Sequence, residues 1–150
     1  MAYIQNLIFE GTCPSDPEFD HIPGRAIAVL LIEELKIKGW QTAEAQGYAY
    51  GWTIECVQGN AQMIVTFSSG NNQLWFLQIY EIYDPGFIGR LMNKKASANS
   101  ADIFRLATAV HEIISVAGPY KNLKWSGRDF PFPPGVWDER DYSDRPREEP

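Results

Sequence analysis

Three consecutive segments in the middle of the chain have the pattern of β-strands and are joined by turns of only a few residues. These segments are residues 48–57, 62–68 and 73–83. Gly59 and Asn60 suit a two-residue hairpin turn that needs positive φ angles, and residues 69–72 are turn formers. Because strands joined so closely pair with their sequence neighbours, the segments predict an antiparallel three-strand meander.

Two amphipathic helices flank the meander. The first begins after Gly24 and ends before Gly39, and its apolar residues recur at steps of three and four. The second spans residues 100–116, with Asn99 or Ser100 as its N-cap. Both helices have one apolar stripe, so each must pack against another element.

A β-prone segment, residues 3–9, precedes the first helix, and residues 123–125 form a short final strand after the second. The predicted order is strand, helix, three-strand meander, helix and short strand. An α+β fold with an antiparallel sheet of about four to five strands and both helices on one face satisfies this order.

The C-terminal segment differs in composition from the rest of the chain. Residues 1–129 are expected to form a single domain, whereas residues 130–134 alternate Phe with Pro and residues 138–150 are mostly charged. Such a segment buries little apolar surface, so the last dozen residues are expected to be disordered.

Charge and hydrophobicity restrict the possible partners. The chain has 150 residues and a formal net charge of −6, and Lys94 and Lys95 form its only adjacent pair of cations. An acidic protein repels nucleic acids, whose binding depends on neutralising phosphates. The longest apolar run, residues 26–32, is far shorter than the roughly 20 residues that span a bilayer. With no signal-peptide pattern at the N-terminus, a cytoplasmic protein with no nucleic-acid or membrane partner is expected.

Sequence motifs for catalysis are incomplete. His111 and Glu112 begin a zinc-protease pattern, but Ser115 occupies the position of the second histidine ligand. No phosphate-binding loop, dinucleotide fingerprint or nucleophile elbow occurs in the sequence. The sequence therefore predicts no catalytic residue, metal or cofactor, and a non-catalytic protein is favoured over an enzyme.

The third strand of the meander is apolar on both faces. Two helices cover one face of a sheet, so the other needs its own cover, and large uncovered apolar patches mark interaction sites. The cover could be residues 130–137, a second copy of the chain, or another protein. The last two possibilities predict a protein partner or homodimer that contacts four aromatic side chains, Tyr50, Trp52, Phe76 and Tyr80.

A small-molecule binder or enzyme is the alternative. Its pocket would lie between the loop at residues 12–22 and the second helix, with His21 and His111 as titrating groups. Glu55 and Glu81, if placed on neighbouring strands, would line a polar pocket.

Several short motifs resemble those of a group of small bacterial proteins of unknown function. They comprise Pro23 to Ala26 with the following helix, then Gly39–Trp40 and Gly51–Trp52, over about residues 20–115. The resemblance implies this fold and no particular activity. The arrangement of helix, meander and helix is also similar to secretion chaperones and small acidic immunity proteins, which implies a binding role.

Overall fold

The computed structural model describes residues 4–14, 22–81, 99–127 and 142–148. Within these residues the chain forms two α-helices, α1 Arg25–Ile37 and α2 Ser100–Val116. It also forms seven β-strands: β1 Ile4–Glu10, β2 Gln41–Thr42, β3 Gln46–Tyr48, β4 Gly51–Gln58, β5 Ala61–Ser68, β6 Leu74–Glu81 and β7 Lys121–Ser126.

All strand pairs are antiparallel, and the order is β2, β4, β5, β6, β1, β7, with β3 also paired to β4. The α+β class and the β4–β5–β6 meander are therefore as predicted. The predicted count of four to five strands is wrong, because β2 and β3 add two pairings beside β4. These two strands have only two and three residues, which is too short to give an alternating pattern.

The predicted strand at residues 48–57 is also interrupted. Ala49 and Tyr50 form the turn between β3 and β4, and Tyr48 is paired with Gly51 across it. Because the chain reverses there, Tyr48 and Trp52 lie on opposite sides of the sheet rather than on one face.

Local sequence accounts for both helix starts. Gly24 precedes α1 with a φ of 97°, and a Cβ atom at this position would lie 2.8 Å from the Trp75 ring. Glycine is therefore required both by the backbone and by the close approach to β6. At α2, the Asn99 side chain accepts a hydrogen bond from the Asp102 amide while the Asp102 carboxylate accepts one from the Asn99 amide.

Both helices contribute to one core on the same face of the sheet, here called the helix-covered face. Ile27, Leu31 and Leu35 of α1 are fully buried, as are Leu106 and Val110 of α2. The buried strand residues that meet them alternate along the strands: Leu7, Phe9, Trp52, Ile54, Cys56, Met63, Val65, Phe67, Trp75, Leu77, Ile79 and Trp125.

The opposite face of the sheet is unevenly covered. At its β1 and β7 side, Asn6, Ile8 and Ser126 are buried, although they lie away from the helices. Towards β4 and β5, Ile64 is half-buried and Glu55 is exposed. This face is therefore covered within the chain at one side and accessible at the other.

Residues 142–148 of the C-terminal segment lie against the sheet. The backbone N–H and C=O of Ser143 pair with those of Trp125 at 2.9 and 2.7 Å. Residues 128–141, which include the whole segment (130–137) proposed from sequence to cover the second face, lie outside the described residues. No helix in the described part of the chain is long and apolar enough to span a bilayer.

Candidate functional site

The accessible part of the opposite face is rich in tyrosine. Tyr48 is 39% exposed, and its hydroxyl group lies 3.1 Å from Oγ1 of Thr66 and donates to the Phe67 carbonyl at 3.0 Å. The Tyr48 side chain thus extends from β3 across β4 to β5. At its cross-strand partner Gly51, an added Cβ would lie 1.9 Å from the same Phe67 carbonyl oxygen, so only glycine leaves this space open. Two hydrogen bonds fix the orientation of this ring while leaving part of it accessible.

Tyr50 and Tyr80 extend the same region. Tyr50 lies in the β3–β4 turn and is 66% exposed, and its carbonyl accepts from the Ser69 amide at 3.1 Å. Tyr80 lies beside Ile64 on the neighbouring strand. Burial raises the pKa of Tyr80, and the Tyr48 hydroxyl adds to this increase, which places the two side chains near each other. We call Tyr48, Tyr50, Ile64 and Tyr80 the tyrosine surface.

The structure separates the four aromatic residues proposed from sequence. Phe76 and Tyr80 lie on the opposite face, and both are half-buried. Trp52 lies on the helix-covered face, is 4% exposed, and has the Arg25 guanidinium 5.4 Å from its ring centroid. The alternation over residues 48–57 does not predict Tyr48 on this face, because it indicates one continuous strand across the turn at residues 49–50. The glycine that follows Ala49–Tyr50 is the sequence feature that indicates a turn at this position.

His111 has a defined partner on β7. The indole N–H of Trp125 donates to Nδ1 of His111 at 3.0 Å, so the neutral ring carries its proton on Nε2. Burial lowers the pKa of His111, and the nearby Arg145 guanidinium lowers it further, whereas Glu112 acts in the opposite direction. His21, proposed with it, lies outside the described residues.

Glu55 and Glu81 are not brought together. β5 lies between the strands that carry them, and Glu55 pairs with Ile64 whereas Glu81 pairs with Met63. Since side chains alternate along a strand, the two carboxylates are on opposite faces of the sheet. The arrangement proposed from sequence, with both on neighbouring strands around one pocket, is therefore absent.

A polar cavity of about 590 Å³ lies at one end of the sheet. Gly11 and Gln73 hold its walls together, because the Gly11 amide donates to the Gln73 carbonyl at 2.8 Å and the Gln73 side chain donates to Thr12 Oγ1 at 2.7 Å. The residues lining the cavity come from three segments: Glu10, Gly11, Thr12, Asn71, Gln73, Leu74, Pro119 and Lys121. His111 is not among them.

Both cysteines are buried and free. Burial, together with the neighbouring Glu55 carboxylate, raises the pKa of the Cys56 thiol to about 12. At neutral pH this group is a protonated thiol, which is a poor nucleophile. Within the described ranges, no three His, Cys, Asp or Glu side chains lie close enough together to hold a metal ion.

No protein-family model, curated protein or solved structure matches this chain. The likeness to small bacterial proteins of unknown function therefore stays a prediction from sequence. A function for this chain therefore rests on its fold and its surfaces.

Proposed function

We propose that this chain is a non-catalytic protein-interaction domain that contacts a protein partner, or a second copy of itself, through the tyrosine surface. One observation carries the proposal: the partly exposed Tyr48 ring is held by two hydrogen bonds, and the more exposed Tyr50 lies two residues away in the adjoining turn. A tyrosine ring that is already ordered loses little conformational entropy on binding, so its contact area contributes efficiently to affinity.

The chemistry of the chain supports a binding role. Both thiols are buried, and the Nδ1 atom of His111 is occupied by Trp125. The tyrosine surface combines aromatic rings with Ile64 and borders the exposed Glu55. An aromatic centre with a polar rim is the usual composition of a protein-protein contact. The net charge of −6 disfavours a nucleic-acid partner, and we place the protein in the cytoplasm.

A matched pair of surface variants tests this role. Tyr50→Ser removes an exposed ring from the tyrosine surface, whereas Ile37→Ser removes an exposed apolar side chain, 77% accessible, at the end of α1. We expect native-lysate capture and light scattering to show a partner or dimer with the wild type and the Ile37 variant, and weaker association with the Tyr50 variant. A monomer whose captured proteins are the same for all three forms would contradict the proposal.

The polar cavity supports a second candidate, the binding of a small polar molecule. Glu10 and Lys121 are cross-strand partners, yet no ion pair within 4.0 Å joins them in the described structure. Instead, the Asn122 amide group donates to the Glu10 carboxylate, which leaves the Lys121 ammonium free to meet a ligand. A ligand with both an anionic and a cationic group, such as an amino acid, complements these two charges.

NMR titration separates this candidate from the first. Glycine should shift the amide signals of Gly11 and Gln73, while acetate and methylamine, each with one of the two charges, should shift them less. Lys121→Gln should weaken the effect of glycine, and Lys124→Gln, on the same strand, should leave it unchanged. Equal responses to the three compounds would exclude recognition of a molecule with both charges.

A further inference from the structure

Residues 142–148, here called the C-terminal strap, are held to the sheet at two places. At the first, Ser143 extends the edge of β7 by one antiparallel bridge to Trp125, with backbone hydrogen bonds of 2.7 and 2.9 Å in both directions. The Ser143 hydroxyl also donates to the Arg145 carbonyl at 2.7 Å, which holds the turn that follows. One bridge is a small contact compared with a full strand pairing.

The second attachment is a side-chain clasp. Gln5 of β1 is fully buried, its side-chain amide donates to the Arg147 carbonyl, and its side-chain oxygen accepts from the Arg147 amide at 3.2 Å. The side-chain amide of Gln5 thus makes the same pair of hydrogen bonds to the Arg147 backbone that a residue of a neighbouring strand would make. Because Gln5 lies next to Asn6, the partner of the last β7 residue Ser126, the strap reaches past the end of β7 to β1.

Trp125 links the strap to a titratable side chain, that of His111. Trp125, whose backbone binds Ser143, also donates its indole N–H to Nδ1 of His111. The positive charge of Arg145, in the strap, lowers the pKa of His111, and the negative charge of Glu112, the next residue on α2, raises it. Glu112 is itself paired with Lys38 at the end of α1, at 2.7 Å.

We propose that the C-terminal strap is a pH-sensitive latch that closes over Trp125 and Gln5 when His111 is neutral and opens when His111 is protonated. A proton on Nδ1 removes the acceptor for the Trp125 indole, and the imidazolium repels the Arg145 guanidinium. Both changes act on the same strap. Opening frees the Trp125 backbone at the β7 edge and uncovers the Gln5 clasp.

The direction of the pH dependence follows from the linkage between strap closure and protonation of His111. The pKa of His111 is lowered in the closed form, so the open form takes up a proton more readily. Closure is therefore complete above the usual histidine value of about 6.5 and is lost progressively as the pH falls below it. Arg145 contributes to this difference, so removing its charge reduces the pH dependence without removing the clasp.

Amide hydrogen exchange of the full chain measures the latch directly. We expect the protection factors of the Ser143 and Arg147 amides, corrected for the intrinsic pH effect, to fall by about tenfold or more between about pH 7.5 and 5. The Val65 amide in the central strand β5 should keep its protection, which distinguishes latch opening from global unfolding.

Three variants complete the test. His111→Gln keeps an acceptor but no titration, so its strap protection should not change with pH. Arg145→Gln should show a smaller fall than the wild type. Gln5→Ala should lower Arg147 protection at both pH values. Unchanged wild-type protection while the NMR signal of His111 titrates, or an equal fall in the His111 variant, would overturn the latch.

Discussion

Gln78 on β6 donates a hydrogen bond from its side-chain amide to Oδ1 of Asn6 on β1 at 2.9 Å, on the face of the sheet opposite the helices. The pair lies within a row of polar residues that are register partners across six strands. In order across the sheet, the row is Gln46, Thr53, Thr66, Gln78, Asn6 and Ser126. Thr53 and Thr66 are joined as well, with 3.2 Å between their hydroxyl groups.

This row specifies register. Apolar residues flank this row: Phe76 and Tyr80 lie on either side of it along β6, Ile64 lies on one side along β5, and all three are half-buried. Apolar packing alone tolerates a shift of two residues along a strand, because every second side chain returns to the same face. Such a shift would place Gln78 against an apolar partner and leave buried Asn6 without this hydrogen bond, which makes the alternative pairing less stable.

We expect Gln78→Leu to lower the free energy of unfolding by about 1–3 kcal/mol, because the buried Asn6 oxygen loses the hydrogen bond from Gln78. Urea denaturation followed by tryptophan fluorescence measures the change. Gln62→Leu is the matched control, since Gln62 is half-buried on the same face but lies outside the polar row, and its effect should be within about 0.5 kcal/mol. Equal stability of the Gln78 variant and the wild type would show that the Gln78–Asn6 hydrogen bond does not stabilise this register.

Glycine substitutions separate backbone strain from steric overlap. At Gly24 an added Cβ meets the Trp75 and Phe67 rings at 2.8 and 2.9 Å and the φ is 97°, so Gly24→Ala should cost more than about 2 kcal/mol. Gly59 has a φ of 62° and open space, so its alanine variant should cost about 1 kcal/mol.

Gly70 has neither a positive φ nor a close neighbour, and Gly70→Ala should be neutral within about 0.5 kcal/mol. Thermal unfolding of the three variants under one buffer condition gives the ranking. If Gly59→Ala proves as costly as Gly24→Ala, the contact of α1 with β6 is not what selects glycine before α1.

The two N-cap candidates for α2 can be distinguished by single substitutions. Asn99 forms a reciprocal pair with Asp102, whereas Ser100 is the first helical residue. Asn99→Ala should therefore lower the free energy of unfolding by about 1 kcal/mol, while Ser100→Ala should have almost no effect. Chemical denaturation measures both changes. A larger loss of stability in Ser100→Ala than in Asn99→Ala would show that Ser100 is the N-cap.

The elements with long periodic patterns could be predicted from sequence, and the reason is physical. α1 and α2 each bury one stripe, and β5 alternates buried and half-buried residues along its length, so hydrophobic periodicity identifies all three. The position of β1 between β6 and β7 is different. It depends on pairings between residues far apart in sequence, such as Leu7 with Leu77 and Trp125, which no local pattern contains.

The candidate site was predicted only in outline. The alternation along β6 correctly separates Phe76 and Tyr80 from the core residue Trp75, because that strand is continuous. The assignment of Trp52 with them depended on the relative orientation of two strands, which the sequence does not define. The contacts of residues 142–148 could not be predicted from sequence either, because they are made by backbone groups and the Gln5 side chain rather than by apolar residues in a periodic pattern.

The buried Cys56 thiol gives a prediction at alkaline pH. Its pKa is raised from 9.0 to about 12, so the folded state keeps a proton that the unfolded state loses. The contribution to stability is therefore fully present below about pH 9 and is lost as the pH rises towards 12.

Urea denaturation between about pH 8 and 11 should show the wild type losing more stability than Cys56→Ala over the same range, since only the wild type has this thiol. Tyrosine side chains also titrate in this range, but they are common to both forms and cancel in the comparison. Alkylation with iodoacetamide at about pH 8 should leave Cys56 unmodified in the native protein and label it in urea, as read by mass spectrometry. Parallel pH profiles together with rapid native labelling would show that the thiol is accessible and that burial does not raise its pKa.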